Sequence, residues 1–88
     1  MIIDPDKEGC TIWKGNNIQR IKGTAQECCN RISKYILREF TDNYTGAKYI
    51  NQISNIQLDI TGIGMIYADY FKHKNIKFDE IKYSVIIS

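Results

Sequence analysis

The sequence predicts a mixed α/β fold with the element order β-β-β-α-β-α-β, and three observations carry that expectation. Two β-prone runs, Cys10-Thr11-Ile12-Trp13-Lys14 and Ile18-Gln19-Arg20-Ile21-Lys22, flank the hairpin signal Gly15-Asn16-Asn17. Thr24-Ala25-Gln26-Glu27 has capping-box form, a hydroxyl residue followed three positions later by Glu, ahead of apolar residues at helical spacing. Further on, Asn55 to Ile60 alternates, Thr61-Gly62-Ile63-Gly64 interrupts it, and a helical stretch and a second alternating stretch follow.

Taken in order, Met1-Ile2-Ile3-Asp4 is a short strand ending in a carboxylate, because Pro5 stops a helix from forming through it, and Pro5 to Gly9 reads as a turn. The hairpin supplies strands two and three. The capped helix is expected from about residue 24 to 41, with Ile32, Tyr35, Ile36 and Phe40 inward. Neighbouring helical residues point about 100° apart, so at most one of Cys28 and Cys29 is expected to face the core fully. Thr41 to Gly46 ends this helix, and Tyr49 to Ser54 reads as either a helical turn or a loop. Asn55 to Ile60 is a strand with Ile56, Leu58 and Ile60 on one side. Met65 to Lys74 is expected to form a second helix, ended by Asn75, with Ile66 and Tyr70 inward and Tyr67 and Phe71 as further inward candidates. The competing reading makes Met65 to Phe71 a strand in a β-rich sandwich, since Tyr and Phe suit both. Lys77 to Ile87 closes the order as a strand, with Ile81, Tyr83, Val85 and Ile87 alternating.

The 88 residues suit one small domain, 1–88, without repeat or linker. Asp4, Asp6 and Glu8 at the start argue against a secretory signal, and no apolar run approaches the ~20 residues of a membrane span. The expected location is cytoplasmic, and the abundance of Ile, Lys, Asn and Tyr with a single Pro suggests an AT-rich microbe or its virus. A net charge of +2 is too small to imply nucleic acid by itself, so any DNA-binding surface must be a local patch. Lys72, Lys74, Lys77 and Lys82 form one such cluster, with a solvated helix end as its ordinary reading. Cys10, Cys28 and Cys29 have no metal-ligand or Cys-x-x-Cys spacing and read as reduced structural thiols; His73 reads as a surface or capping residue.

The chemistry lies in two aspartates. In mixed sheets the functional crevice sits at the carboxyl ends of adjacent parallel strands, near the point where strand order reverses. Strand one ends at Asp4 and the strand after the first helix ends around Asp59. If these strands are neighbours, their carboxylates converge, and paired carboxylates repel unless a hard divalent cation such as Mg²⁺ or Mn²⁺ sits between them. Taken singly, Asp4 reads as a turn residue before Pro5 and Asp59 as a water-facing strand residue. Thr61-Gly62-Ile63-Gly64 is a poor phosphate cradle but suits a tight strand-to-helix turn with close backbone approach beside a metal site.

Leu58-Asp59-Ile60-Thr61-Gly62-Ile63-Gly64, followed by a helix and a strand, resembles the Asp-x-Thr-Gly-x-Gly segment of the nuclease domains of phage terminase large subunits. The opening Ile2-Ile3-Asp4-Pro5-Asp6-Lys7-Glu8-Gly9 is similar to that family's first strand and to the Asp-Pro opening of Holliday-junction resolvases in the related ribonuclease H-like superfamily. The resemblance implies a ribonuclease H-like mixed sheet and a Mg²⁺- or Mn²⁺-dependent DNA endonuclease, phage-encoded and working in a bacterial host. Asp4 and Asp59 would be both its metal ligands and its catalytic residues. Terminase nuclease domains continue into a C-terminal helix that carries another catalytic Asp, whereas this sequence stops at Ser88. The expectation is therefore a truncated domain whose site is incomplete or inactive, unless Asp6 or Glu8 substitutes. The alternative is a non-enzymatic accessory module, binding nucleic acid, a partner protein or a second copy through the sheet face that the missing helix leaves uncovered.

Overall fold

The computed structural model describes residues 1–82 apart from Ser54. The elements are β1 (Ile2–Asp6), β2 (Gly9–Lys14), β3 (Asn17–Lys22), α1 (Ala25–Ile36), β4 (Leu37–Thr41), β5 (Lys48–Gln52), β6 (Gln57–Asp59), α2 (Gly64–His73) and β7 (Asp79–Ile81). Five strands form one mixed sheet in the order β3-β2-β1-β6-β7, while β4 and β5 form a separate two-stranded ribbon. Strands β1, β2 and β3 pair antiparallel; β1 pairs parallel with β6, and β6 parallel with β7. The sheet order therefore reverses at the β1–β6 boundary, where an antiparallel meander meets two helix-containing crossovers.

Local chemistry accounts for most of this. Gly15 takes φ +59° at the head of the two-residue loop between β2 and β3, a sign of φ that costs glycine little. The register then runs unbroken from Lys14↔Asn17 to Gly9↔Lys22. β1 continues through Pro5 to Asp6 rather than turning at Pro5 as expected, with Pro5 opposite Cys10. Pairing of β1 with β6 reaches only Ile3↔Leu58, so Pro5 lies where that edge of β1 is unpaired and a missing N–H is tolerated. At the start of α1 the capping box is formed: the Glu27 N–H donates to Thr24 Oγ1 at 3.2 Å, and the Thr24 N–H donates to the Glu27 carboxylate at 3.3 Å.

The helix expected to reach residue 41 ends at Ile36. Leu37 turns extended, and Leu37 to Thr41 pair with Lys48 to Gln52 as an antiparallel ribbon, so the expected turn or loop at 49–54 is largely strand. The Asp42 carboxylate accepts the Tyr44 N–H at 2.8 Å, and the Asp42 carbonyl accepts the Gly46 N–H at 2.8 Å, which closes the connection. Phe40, expected on the helix's inner face, instead stacks on Tyr49 with ring centroids 5.7 Å apart.

The core lies between the helices and one face of the sheet. Ile3, Cys10, Ile12 and Leu58 from the sheet meet Cys28, Cys29, Ile32 and Ile36 of α1 and Tyr67, Ala68 and Phe71 of α2. Each fully buried Ile, Leu or Phe is worth about 1.5–3 kcal/mol of transfer free energy. Cys28 and Cys29 are both fully buried, against expectation, because α1 packs against α2 as well as the sheet and so buries an arc wider than 100°. α2 forms in place of the alternative strand. Its buried face is Gly64, Tyr67, Ala68 and Phe71, while Ile66, expected inward, is exposed and Tyr70 half-buried. Asn75, at φ +59°, ends the helix, and the Ile76 N–H returns to the Phe71 carbonyl at 2.9 Å. Ile56, Leu58 and Ile60 are buried together as expected. Of the last expected strand, Asp79 to Ile81 is β7; Tyr83, Val85 and Ile87 lie outside the described residues.

Candidate metal centre at the ends of two parallel strands

Asp4 and Asp59 come together through strand register. Ile2 is paired with Gln57 and Ile3 with Leu58, so one further residue along both strands sets Asp4 beside Asp59. Ile3 and Leu58 point into the core, and alternation turns the two aspartates to the opposite face of the sheet. Asp59 is not water-facing: only 8% of it is exposed, and its Oδ1 accepts the Thr61 N–H at 2.9 Å. Asp4 is half-buried. Burial holds its carboxyl above the ordinary range, the neighbouring charges of Asp59 and Asp6 add to this, and Arg20 partly offsets it.

The loop after Asp59 fixes the junction with α2. A β-carbon on Gly64 would lie 1.9 Å from the Asp59 carbonyl oxygen, so only glycine lets the helix start against the end of β6. The Gly64 N–H donates to the Thr61 carbonyl at 3.1 Å and the Met65 N–H to Gly62 at 3.2 Å, so the turn is wound directly into the helix. The first turn of α2 has no acidic residue and no side-chain cap.

Sequence reasoning did not single out Arg20. Cross-strand pairing aligns Asp4 with Thr11 and Thr11 with Arg20, so the guanidinium lies in the same row as Asp4. Its Nη1 donates to Thr11 Oγ1 at 3.2 Å and also to Asp6 Oδ2, while Nη2 donates to Asp6 Oδ1 at 2.8 Å. The Glu8 and Gly9 N–H groups donate to the same Oδ1 at 2.9 and 3.0 Å. This guanidinium, ahead of the backbone donors, holds the Asp6 carboxyl down to about 2. Asp6 is thereby spent on the β1–β2 turn and on Arg20, while Glu8 is exposed. Alternation within the hairpin was the one sequence signal that could have placed Arg20 on this face.

Among the described residues no group of three or more His, Cys, Asp or Glu side chains is arranged to hold a metal ion. The donor set is a carboxylate pair, hard oxygen ligands of the kind Mg²⁺ takes one or two at a time, with water and phosphate oxygens completing its shell. Mutual repulsion between Asp4 and Asp59 is the electrostatic condition such a cation relieves, and in that respect the pair fits.

The other expected candidates are structural. Cys10, Cys28 and Cys29 are buried and free, and burial pushes the thiols of Cys10 and Cys29 up to about 12. From the lysine cluster, Lys72 and Lys74 lie at the end of α2: Lys72 pairs with Glu80 at 3.2 Å and Lys74 lies 5.8 Å from the Tyr70 ring centre. Among the described residues no helix is long and apolar enough to cross a membrane. No family model, curated protein or solved structure matches the chain.

Proposed function

We propose that this chain is a divalent-cation-dependent DNA endonuclease domain of ribonuclease H-like type, akin to the nuclease domains of phage terminase large subunits and active in a bacterial cytoplasm. One observation carries the reading: two aspartates on adjacent parallel strands, at their carboxyl ends and at the point where sheet order reverses. The β3-β2-β1-β6-β7 order and the Thr-Gly-x-Gly turn after Asp59 support it.

In this reading Asp4 and Asp59 hold Mg²⁺ or Mn²⁺. The ion supplies Lewis acidity at the phosphodiester and lowers the pKa of a bound water. The chain's own part is positional. Asp59 is fixed by the Thr61 N–H at its carboxylate and by the close approach of Gly64 to its backbone carbonyl, and it presents one carboxylate in a set orientation. Asp4, half-buried and destabilised as an anion, gains from a cation. Arg20 contributes positive charge along the same row, where a phosphate would approach.

The test is incubation of the pure protein with supercoiled plasmid and Mn²⁺. Wild type should nick or linearise the plasmid, EDTA should stop it, and Asp4→Asn and Asp59→Asn should each lower the rate at least ~100-fold, the scale on which electrostatic groups at a reacting centre act. Equal cutting by wild type and both variants would refute the reading.

A second reading, a non-enzymatic module that binds a partner, is favoured by one feature. Trp13 and Ile18 are cross-strand neighbours on the sheet face away from the helices, 43% and 62% exposed. Absence of cleavage together with a stable complex lost on Trp13→Ala would favour it.

A further inference from the structure

On the opposite face of the sheet from Asp4 and Asp59, a cavity of about 670 Å³ opens between the β2–β3 hairpin and α1. Ile12, Ile21 and Ile32 give it an apolar floor, and Lys14, Arg31 and Tyr35 line it with polar tips. Its described lining contains no Asp or Glu. The Lys14 ammonium donates to the Tyr35 hydroxyl at 2.7 Å and lies 5.3 Å from the ring centre; the Arg38 guanidinium lies 5.9 Å from the same centre. Tyr35 thus holds two cations, one from the sheet and one from the β4–β5 ribbon. From Arg38 the surface continues to the stacked Phe40–Tyr49 pair, which share Arg38's face of the ribbon, and Tyr44 in the connecting loop is 99% exposed.

We infer that this strip is a binding site for single-stranded nucleic acid. Cations interleaved with exposed aromatic rings match the two repeating parts of a single strand: phosphates meet Lys14, Arg31 and Arg38, and unpaired bases stack on Phe40 and Tyr49. A polyanion meets positive charge both at the cavity, whose described lining holds no carboxylate, and on the ribbon. The lowered pKa of the Tyr35 hydroxyl, caused first by its hydrogen bond from Lys14, is in keeping with the positive potential there. The site does not depend on the carboxylate pair and operates without metal.

The test is fluorescence anisotropy of a fluorescein-labelled 12-nucleotide thymidylate strand with the full chain in EDTA, at several salt concentrations. Binding should weaken with salt, Lys14→Ala and Arg38→Ala should each weaken it and reduce the log–log salt slope by about 1, and Tyr49→Ala should weaken it roughly 5- to 100-fold. Lys72→Ala, at the end of α2 where Lys72 pairs with Glu80, should bind as wild type does. Lys14 and Arg38 are exposed, so their variants fold, and circular dichroism checks Tyr49→Ala. Absence of salt-dependent binding, or folded Lys14 and Arg38 variants binding like wild type, overturns the inference. So does loss of binding in Lys72→Ala, which would put the strand at the end of α2, or a dimer in sedimentation that Tyr49→Ala dissolves, which would give the ribbon to a second copy.

Discussion

Gly64 lies so close to Asp59 that a β-carbon on it would sit 1.9 Å from the Asp59 carbonyl oxygen and 3.9 Å from Pro5 Cγ. The start of α2, the end of β6 and the end of β1 therefore meet at Gly64, against the Asp59 backbone and the Pro5 ring, and both aspartates flank that point. Gly64→Ala should cost about 1–3 kcal/mol, the range for forced overpacking, and urea denaturation measures it. Because relief requires α2 to move off Asp59, the same variant should also weaken Mn²⁺ binding. A variant as stable as wild type would show that the helix start is free to shift.

Asp4→Asn should stabilise the metal-free protein. The folded state raises the Asp4 pKa, so its contribution is fully present below the ordinary value of 3.8 and is lost as pH rises through the raised one. At neutral pH the ionised carboxyl is a burden that Asn removes, and Tm should rise. With Mn²⁺ the order reverses. Wild type gains about 1.4 kcal/mol at ten times the dissociation constant and the variant gains nothing, which thermal shift with and without metal will show.

Asp6 has the opposite sign. Its pKa is lowered to about 2 from 3.8, so the Arg20–Asp6 pair stabilises the fold above 3.8 and fails as pH falls towards 2. The pair is solvent-exposed, so the effect is modest. Urea midpoints from pH 5 to pH 2 should fall for wild type and fall less for Arg20→Gln. Parallel curves would mean that the backbone donors alone hold Asp6.

Among the described residues the buried Tyr67 hydroxyl has no hydrogen-bond partner, and burial raises its pKa, with the thiols of Cys10, Cys28 and Cys29 as its ionisable neighbours. Deleting an unsatisfied hydroxyl in place removes a desolvation cost of about 1–3 kcal/mol, so Tyr67→Phe should be neutral or stabilising in denaturant titration. The buried thiols should also resist Ellman's reagent until the protein unfolds; rapid native labelling would contradict the packing around α1.

Much of the fold was legible because its signals are short-range. Thr24 and Glu27 are three residues apart, Gly15 heads a two-residue loop, and the alternation of Ile56, Leu58 and Ile60 is complete within five residues. The helix end was not legible. Phe40 stands four residues after Ile36 and so fits a helical period, yet a ribbon whose other strand begins at Lys48 claims it, because pairing and the Asp42 turn satisfy that backbone as well as another helical turn would. The cationic strip was invisible for a similar reason. Lys14, Arg31 and Arg38 come from three elements, while Lys72 and Lys74, from the cluster along the chain, end in local contacts around α2.

The candidate site divides in the same way. Sequence alone determined which residues could form it: an aspartate at the end of each of two apolar strands, with a glycine-containing turn behind the second. Strand order belonged to the tertiary structure, because adjacency of β1 and β6 depends on backbone pairing between segments more than fifty residues apart. Tertiary structure also decided the electrostatics. Whether Asp59 met water or protein, and whether Asp6 stood free or was taken up by Arg20, depended on which groups packing brought within a few ångströms.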